Sequence, residues 1–319
     1  MKILVTGTAG FVGSYTAHSL LDDGHEVVGL DNFNDYYDVS LKEARNAQLE
    51  SRDGFTLIRG DLTDLQLLTS NFQQHKPDRV CHLAAQAGVR YSIENPFAYQ
   101  QSNLEGHLNI LEACRHAKIE RLVYASSSSV YGGNKKVPFS EDDPVDHPVS
   151  LYAATKKANE LMSHTYTHLY GLQTVGLRFF TVYGPMGRPD MAYWLFTDAM
   201  LNGRPIKVFN HGDMKRDFTY IDDIVAGVKA ALFADGLESY EIFNLGNNNP
   251  ENLMEMIRVL GGALGVEPQM EMLPMQAGDV PITFADISKA QAKLGYQPTT
   301  SMEEGLKRFV AWYKEYFKV

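Results

Sequence analysis

Cysteine is scarce: Cys81 and Cys114 are the two in 319 residues, with no CxxC or metal-ligand spacing around them. That excludes a disulfide scaffold and a cysteine-built metal centre, and it predicts buried thiols in a reducing compartment. Positive charge is short as well. With 29 Lys and Arg against 39 Asp and Glu the net charge is −10, so there is no broad positive field for nucleic acid and no generic attraction to an anionic membrane. An anionic ligand needs local arginines or helix N-termini instead. No run approaches ~20 apolar residues, so no membrane span is expected, and no low-complexity tract or fixed-period repeat is present. The opening "MKILVTG" reads as a strand from its second residue, without the basic and apolar regions of a secretory leader, which makes the cytoplasm the expected location.

Hydrophobic residues at 44% and charged residues at 21% fit an ordinary globular protein. The length fits one large α/β domain, or a main domain with a smaller partner. Through the first 180 or so residues, short apolar runs ("KILVT", "EVVGL", "FTLIRG", "RVCHLAA", "RLVYAS", "TVGLRFF") alternate with helical patterns such as "NLEGHLNILEACRHA", where Leu104, Leu108, Leu111 and Ala113 fall at helical spacing. The alternation predicts βαβ units, hence an α/β fold of Rossmann type: a doubly wound parallel sheet covered on both faces. After Thr181 the rhythm breaks at Pro185, Gly187 and Pro189. A smaller C-terminal α/β region for substrate is expected over 183–319, beside a dinucleotide-binding domain over 1–182 to which 217–246 ("FTYIDDIVAGVKAAL", "EIFNLG") returns.

"TGTAGFVGS" after the first strand spaces Gly7, Gly10 and Gly13 as GxxGxxG. Glycines let a backbone approach a pyrophosphate, and the helix that follows aims its N–H groups and positive dipole end at the same charge. A glycine trio alone is a weak signal, since turns also collect glycine. Asp31, closing the second strand, strengthens it as an acceptor for an adenosine ribose, and its charge disfavours a 2′-phosphate, so NAD is expected over NADP. Asp61 in "RGDLTD" has two readings: a contact to the adenine amino group, or a helix N-cap.

In "SLYAATKKANEL", Tyr152 and Lys156 are four apart and share one helix face. A free tyrosine has a pKa of ~10; a nearby ammonium and the positive nicotinamide ring both favour the phenolate and are expected to lower it. A YxxxK pair alone is common surface decoration. Placed downstream of a dinucleotide loop and of the serine-bearing strand end "YASSSSVYG", it predicts a proton acceptor for an alcohol.

Together "TGTAGFVG", Asp31, "SSSSVYG" and "YAATK" resemble the extended short-chain dehydrogenase/reductase family of nucleotide-sugar-modifying enzymes, over essentially the whole chain. Within it "DNFNDYYDVSLK", "HLAAQAGVRYSIENP" and "RFFTVYGPMGRPDM" are similar to the stretches of UDP-glucuronate 4-epimerases. The resemblance implies an isomerase that oxidises C4 of a UDP-sugar to a transient ketone on tightly bound NAD and reduces it again on the other face. It implies Ser127, Tyr152 and Lys156 as the catalytic set, and Phe11, Val12, Asn32 and Leu62 beside the glycines, Asp31 and Asp61 as cofactor contacts. It further implies Arg90, Thr181, Phe209, Arg216 and Asp279 around the UDP-sugar, and a homodimer built on the helices over 104–116 and 158–170.

Related 4,6-dehydratases keep an acid pair where this chain has Ser128 and Ser129, which do not titrate near neutrality. Dehydration therefore lacks its proton carriers. The two serines are expected to hold the sugar carboxylate away from the alignment that releases CO2, with Arg188 facing it as a charge-assisted donor. A surface ion pair is the alternative for Arg188. Two departures from the family pattern stand out: Thr181 where many members carry asparagine, and "MQAGDV" where many carry an arginine before "GDV". A 4-epimerase of neutral UDP-hexoses or N-acetylhexosamines, and a non-catalytic NAD-binding scaffold or sensor, are the competing expectations. His164 and His168 in "HTYTH" lack a third ligand and are read as a helix-surface or dimer-interface pair.

Overall fold

The computed structural model describes residues 1–275 and 280–319. Among these, seven strands form one parallel sheet: β1 (Lys2–Thr6), β2 (Glu26–Asp31), β3 (Phe55–Arg59), β4 (Arg79–His82), β5 (Arg121–Ser127), β6 (Gln173–Phe179) and, much later in the chain, Tyr240–Leu245. From edge to edge the order is Tyr240–Leu245, β6, β5, β4, β1, β2, β3. The apolar runs become strands because both sheet faces are covered. Helices Phe11–Asp22 and Ile221–Phe233 pack together on one face, and Gly106–Ala117 packs against Leu65–His75 and Leu151–Tyr170 on the other. Chain order reverses between β1 and β4, and such a reversal opens a crevice beyond the carboxyl ends of the strands.

The remaining strands sit outside that sheet. β7 (Thr181–Tyr183), β9 (Lys215–Tyr220) and β11 (Pro250–Asn252) form a second sheet around β9, and β8 (Ile206–Val208) pairs with β12 (Met270–Met272); the strand Tyr240–Leu245 is thus β10. Helices Ala192–Leu201, Leu253–Leu264 and Met302–Phe317 close over this layer around Trp194, whose ring lies 5.3–5.9 Å from those of Phe309, Trp312 and Tyr313. The stretch "FTYIDDIVAGVKAAL" therefore divides. Its helix covers the main sheet and β10 adds to the edge beside β6, whereas Phe218–Tyr220 stay in β9, paired with β7.

The stripe over 104–116 divides too. Leu111 and Ala113 are core, but Leu108 is exposed, as are Leu161 and Leu169 on the neighbouring long helix and Ile93 and Phe97 beside them.

Candidate active site

At the β1 end the glycines bring backbone against backbone. Gly7 has φ of +80°, and a Cβ on Gly13 would stand 1.9 Å from the Gly7 carbonyl oxygen, so helix and loop touch through backbone alone. The helix Phe11–Asp22 begins at Gly10 with no side-chain cap and no acid in its first turn. Its first N–H groups and dipole are thus left to an anion.

Asp31, buried at the end of β2, accepts hydrogen bonds from the Ala9 and Phe33 N–H groups (3.0 and 2.8 Å). Burial pushes its carboxyl up, opposed by those N–H groups and by Lys42. Asn32 donates to Asp61 (2.6 Å), whose other oxygen accepts from the Thr63 N–H and hydroxyl. The cap of the helix Leu65–His75 is Asp64, accepting from the Leu67 N–H at 2.9 Å, so the N-cap reading of Asp61 falls away. A cleft of about 250 Å³ runs past Gly7, Gly10, Phe11, Val12, Gly13, Asp31, Asn32, Asp61 and Leu62 to Ser127, Tyr152 and Lys156. A glycine cradle, an uncapped helix start and an acid at the second strand fit a dinucleotide with two free ribose hydroxyls.

At the far end of that cleft β5 stops at Ser127, whose hydroxyl accepts the Ser129 N–H (3.1 Å) and turns the chain into a short 3₁₀ helix, Ser128–Tyr131. Ser150 caps the helix Leu151–Tyr170 through the Ala153 N–H, which sets Tyr152 and Lys156 on the face toward β5. Behind them, buried Glu160 takes both arms of Arg178 (2.8 and 2.9 Å) and the Ser126 hydroxyl (2.7 Å), clamping helix to sheet. The Lys156 ammonium donates to the Ala125 carbonyl at 3.0 Å, and burial lowers its pKa to about 8.

The Lys156 part of the expectation for Tyr152 is not met. Burial raises its pKa, the counteracting influences are a hydrogen bond with Ser127 and the charge of Arg188, and Asp190 raises it further. Lys156 is not what lowers it, because desolvation of the phenol dominates and the ammonium is turned to the strand carbonyl.

Beyond Tyr152 opens a larger cavity, about 880 Å³, between the main sheet and the C-terminal layer. Arg90, Ser128, Ser129, Thr181, Arg188, Phe209 and Arg216 all line it. The Arg90 guanidinium lies 5.4 Å from the centre of the Phe209 ring, and Arg216 donates to the Lys215 and Pro281 carbonyls. Asp279 lies outside the described residues.

Arg188 stands in an ion pair that lines the cavity, with both partners partly exposed. Its Nε and Nη2 close on Asp190 at 3.1 and 2.5 Å, and Asp190 also accepts the Tyr36 hydroxyl at 3.1 Å. Its charge is already shared with a carboxylate two residues on, and the pairing holds the Asp190 carboxyl below its ordinary value.

The sequence reading missed Tyr36, Asp190 and Lys42, all of which line these cavities. Lys42 donates to the Asn34 carbonyl and side chain (2.6 and 2.7 Å), holding the loop that follows Asp31. The tyrosines of "DNFNDYYD" and the acid of "RPD" were the available signals. Among the described residues no group of His, Cys, Asp and Glu could hold a metal ion, and His164 packs edge-on against Tyr240 at 5.0 Å. No helix among them is long and apolar enough to cross a membrane.

Residues 3–246 match the NAD dependent epimerase/dehydratase family. The chain is 52% identical to UDP-glucuronate 4-epimerase 4 of Arabidopsis thaliana, over 99% of its own length and 76% of that protein. It is 46% identical to a probable UDP-glucuronate 4-epimerase of Rhizobium meliloti, over 100% and 98%. Among solved structures, UDP-glucuronic acid 4-epimerase from Bacillus cereus, in complex with UDP-glucuronic acid and NAD, superposes with a TM-score of 0.93 at 37% identity, over 99% of this chain and 100% of that one.

Proposed function

Since the chain belongs to the NAD dependent epimerase/dehydratase family, we propose that it interconverts UDP-glucuronate and UDP-galacturonate by 4-epimerisation without decarboxylation. The observation that carries this reading is that Ser127, Tyr152 and Arg188 line both the cofactor cleft and the sugar cavity, so a proton acceptor stands where the two meet. NAD, when bound, supplies a reversible two-electron oxidation of the sugar's C4.

This chain's residues do the rest. Gly7, Gly10, Gly13 and the helix start hold the pyrophosphate, Asp31 the adenosine ribose, Asn32 and Asp61 the adenine side, and Lys156 the nicotinamide ribose. Tyr152 takes the proton of the sugar's O4 hydroxyl as C4 is oxidised and gives one back on reduction. Ser127, bonded to the phenol, orients O4 and stabilises the phenolate that burial disfavours. Arg216 and Arg90 neutralise the diphosphate locally in a protein of net charge −10. Phe209 stacks along the uracil.

The cavity is roomy enough, at about 880 Å³, for the sugar to turn about its diphosphate link and present its other face. Ser128, Ser129 and Thr181 offer hydroxyl donors to the C6 carboxylate and no titratable acid to drive elimination. The exposed Leu108, Leu161 and Leu169 support a homodimer through the two long helices, and the buried free thiols of Cys81 and Cys114 suit a cytoplasmic setting.

A neutral UDP-hexose is the second reading, favoured by the pairing of Arg188 with Asp190, which leaves less positive charge for an acid sugar. The test is incubation of the purified protein with UDP-glucuronate, UDP-glucose and UDP-N-acetylglucosamine, with separation of UDP-galacturonate from UDP-xylose. UDP-galacturonate formed from UDP-glucuronate without UDP-xylose is the expected outcome; turnover confined to the neutral sugars would replace it with the second reading.

A further inference from the structure

The loop over 184–190 reaches the sugar cavity in a conformation that its own residues do not favour. Met186 has φ of 52°, in the left-handed region where a Cβ is strained. Such a conformer persists only where the surroundings over-determine it.

Arg45, in the helix Val39–Glu50, supplies that constraint. It is fully buried, at 0% exposed. Its Nε and Nη2 donate to the Met186 carbonyl at 3.0 and 2.6 Å, and Nη2 also donates to the Gly187 carbonyl at 2.9 Å. Nη1 turns the other way, to the Ala9 carbonyl inside the glycine loop (2.9 Å) and to the Tyr37 hydroxyl (2.8 Å). Two more groups from the cofactor side grip the same sugar-side segment. The Tyr15 hydroxyl, one turn into the helix after the glycines, donates to the Pro185 carbonyl at 3.1 Å, and Tyr36 donates to Asp190.

A buried arginine hydrogen-bonded through five N–H···O contacts to three carbonyls and a phenol is costly to desolvate, and it makes sense only if those carbonyls need holding. A lysine could meet one of the two loops; the planar fork of a guanidinium reaches both.

We propose that Arg45 is a positioning residue for both ends of the site at once. One guanidinium fixes the glycine loop that receives the dinucleotide and the loop that carries Arg188 and Asp190, so cofactor retention and sugar affinity depend on the same side chain. The sugar half of this inference rests on the function proposed above. A residue confined to one end would move one of the two quantities; Arg45 moves both.

The test compares wild type with Arg45→Lys for NAD content after purification and, with NAD restored to saturation, for UDP-glucuronate affinity by calorimetry. Arg45→Lys is expected to lose most of its NAD and to bind UDP-glucuronate about tenfold more weakly or worse, since three charge-assisted bonds to the sugar-side loop go with the fork. Met186→Gly, which removes the strain, is expected to restore sugar affinity in the Arg45→Lys background while leaving NAD retention low. A simple loss of stability would not produce that split. If Arg45→Lys changes NAD content alone, or if Met186→Gly restores neither quantity, the inference is overturned.

Should Arg45→Lys fail to accumulate, Tyr15→Phe deletes one O–H from the same loop. Sugar affinity is then expected to fall several-fold with NAD content unchanged, and an unchanged affinity would overturn the idea that the loop hangs from the cofactor side. Wild type that binds NAD but not UDP-glucuronate would instead defeat the proposed substrate, independently of either variant.

Discussion

The two ends of the site are built from different materials. The pyrophosphate part of the cofactor end is backbone, three glycines and a helix start without a side-chain cap within the first 13 residues, with the strand-end acid Asp31 close behind. The sugar end is side chains drawn from positions as far apart as Arg90, Ser128, Thr181 and Phe209, and the partner of each arginine decides what it can do. Backbone sites tolerate almost no substitution because atoms already touch. Side-chain sites tolerate substitution in geometry but not in chemistry. Tyr152 stands where the ends meet, and substitutions there and on either side separate them.

The largest effect belongs to the junction. Tyr152→Phe keeps the ring and removes the proton acceptor, so NAD content and UDP-glucuronate affinity are expected to stay close to wild type while kcat falls by roughly 10²–10⁴. Steady-state kinetics alongside calorimetry checks this, and a variant that loses affinity rather than turnover would show that the phenol binds rather than reacts.

Next comes the backbone end. An alanine at position 13 puts its methyl carbon against the Gly7 carbonyl at 1.9 Å, and because both partners are backbone the loop must move. Overpacking of this kind costs about 1–3 kcal/mol, so Gly13→Ala is expected to weaken NAD binding by about tenfold to a hundredfold. Added NAD should recover turnover, with UDP-glucuronate affinity preserved in the saturated protein. Lost sugar affinity at saturating NAD would mean that the two ends are not separable at Gly13.

The same contrast explains what could be read in advance. Strands β1 to β6 and the glycine loop follow from local pattern, because burial on both faces and backbone approach leave a mark within a few residues. The YxxxK pair was legible for a similar reason, since four residues on a helix fix a shared face. What stayed hidden depended on partners distant in sequence or on burial depth. Phe218–Tyr220 pair with β7 although the helix they precede returns to the main sheet. Asp61 and Asp64 both suit a cap, and only geometry gives the cap to Asp64. The pairing of Arg188 with Asp190 shows only in the fold, and Arg45 carries no motif at all. Tyr152 follows the same rule: the charge of Lys156 is visible in the sequence, whereas the desolvation that raises the phenol depends on burial in the fold.

The smallest effect tests that desolvation directly at Lys156. Burial lowers its pKa from 10.5 to about 8 in the folded chain, whereas the unfolded chain keeps the ordinary value. Between about 8 and 10.5 position 156 therefore binds more protons in the unfolded state than in the folded one, and its own contribution to stability rises with pH through that window. Above about 10 the buried tyrosines oppose the trend, since burial raises Tyr131, Tyr183 and Tyr193 in the folded state while their unfolded counterparts ionise. Burial likewise raises the thiols of Cys81 and Cys114, whose unfolded counterparts ionise between about 8 and 10 and also oppose the trend. The Lys156 contribution, up to about 3 kcal/mol at 1.36 kcal/mol for each pKa unit, is therefore read over about 8 to 10 as a difference in which these groups cancel. Urea unfolding of NAD-free wild type and Lys156→Met across this interval isolates the contribution. The gap between the two should change steadily in favour of wild type as pH rises, and a flat gap would place the ammonium in a better-solvated setting than the Ala125 carbonyl and the closed helix face provide.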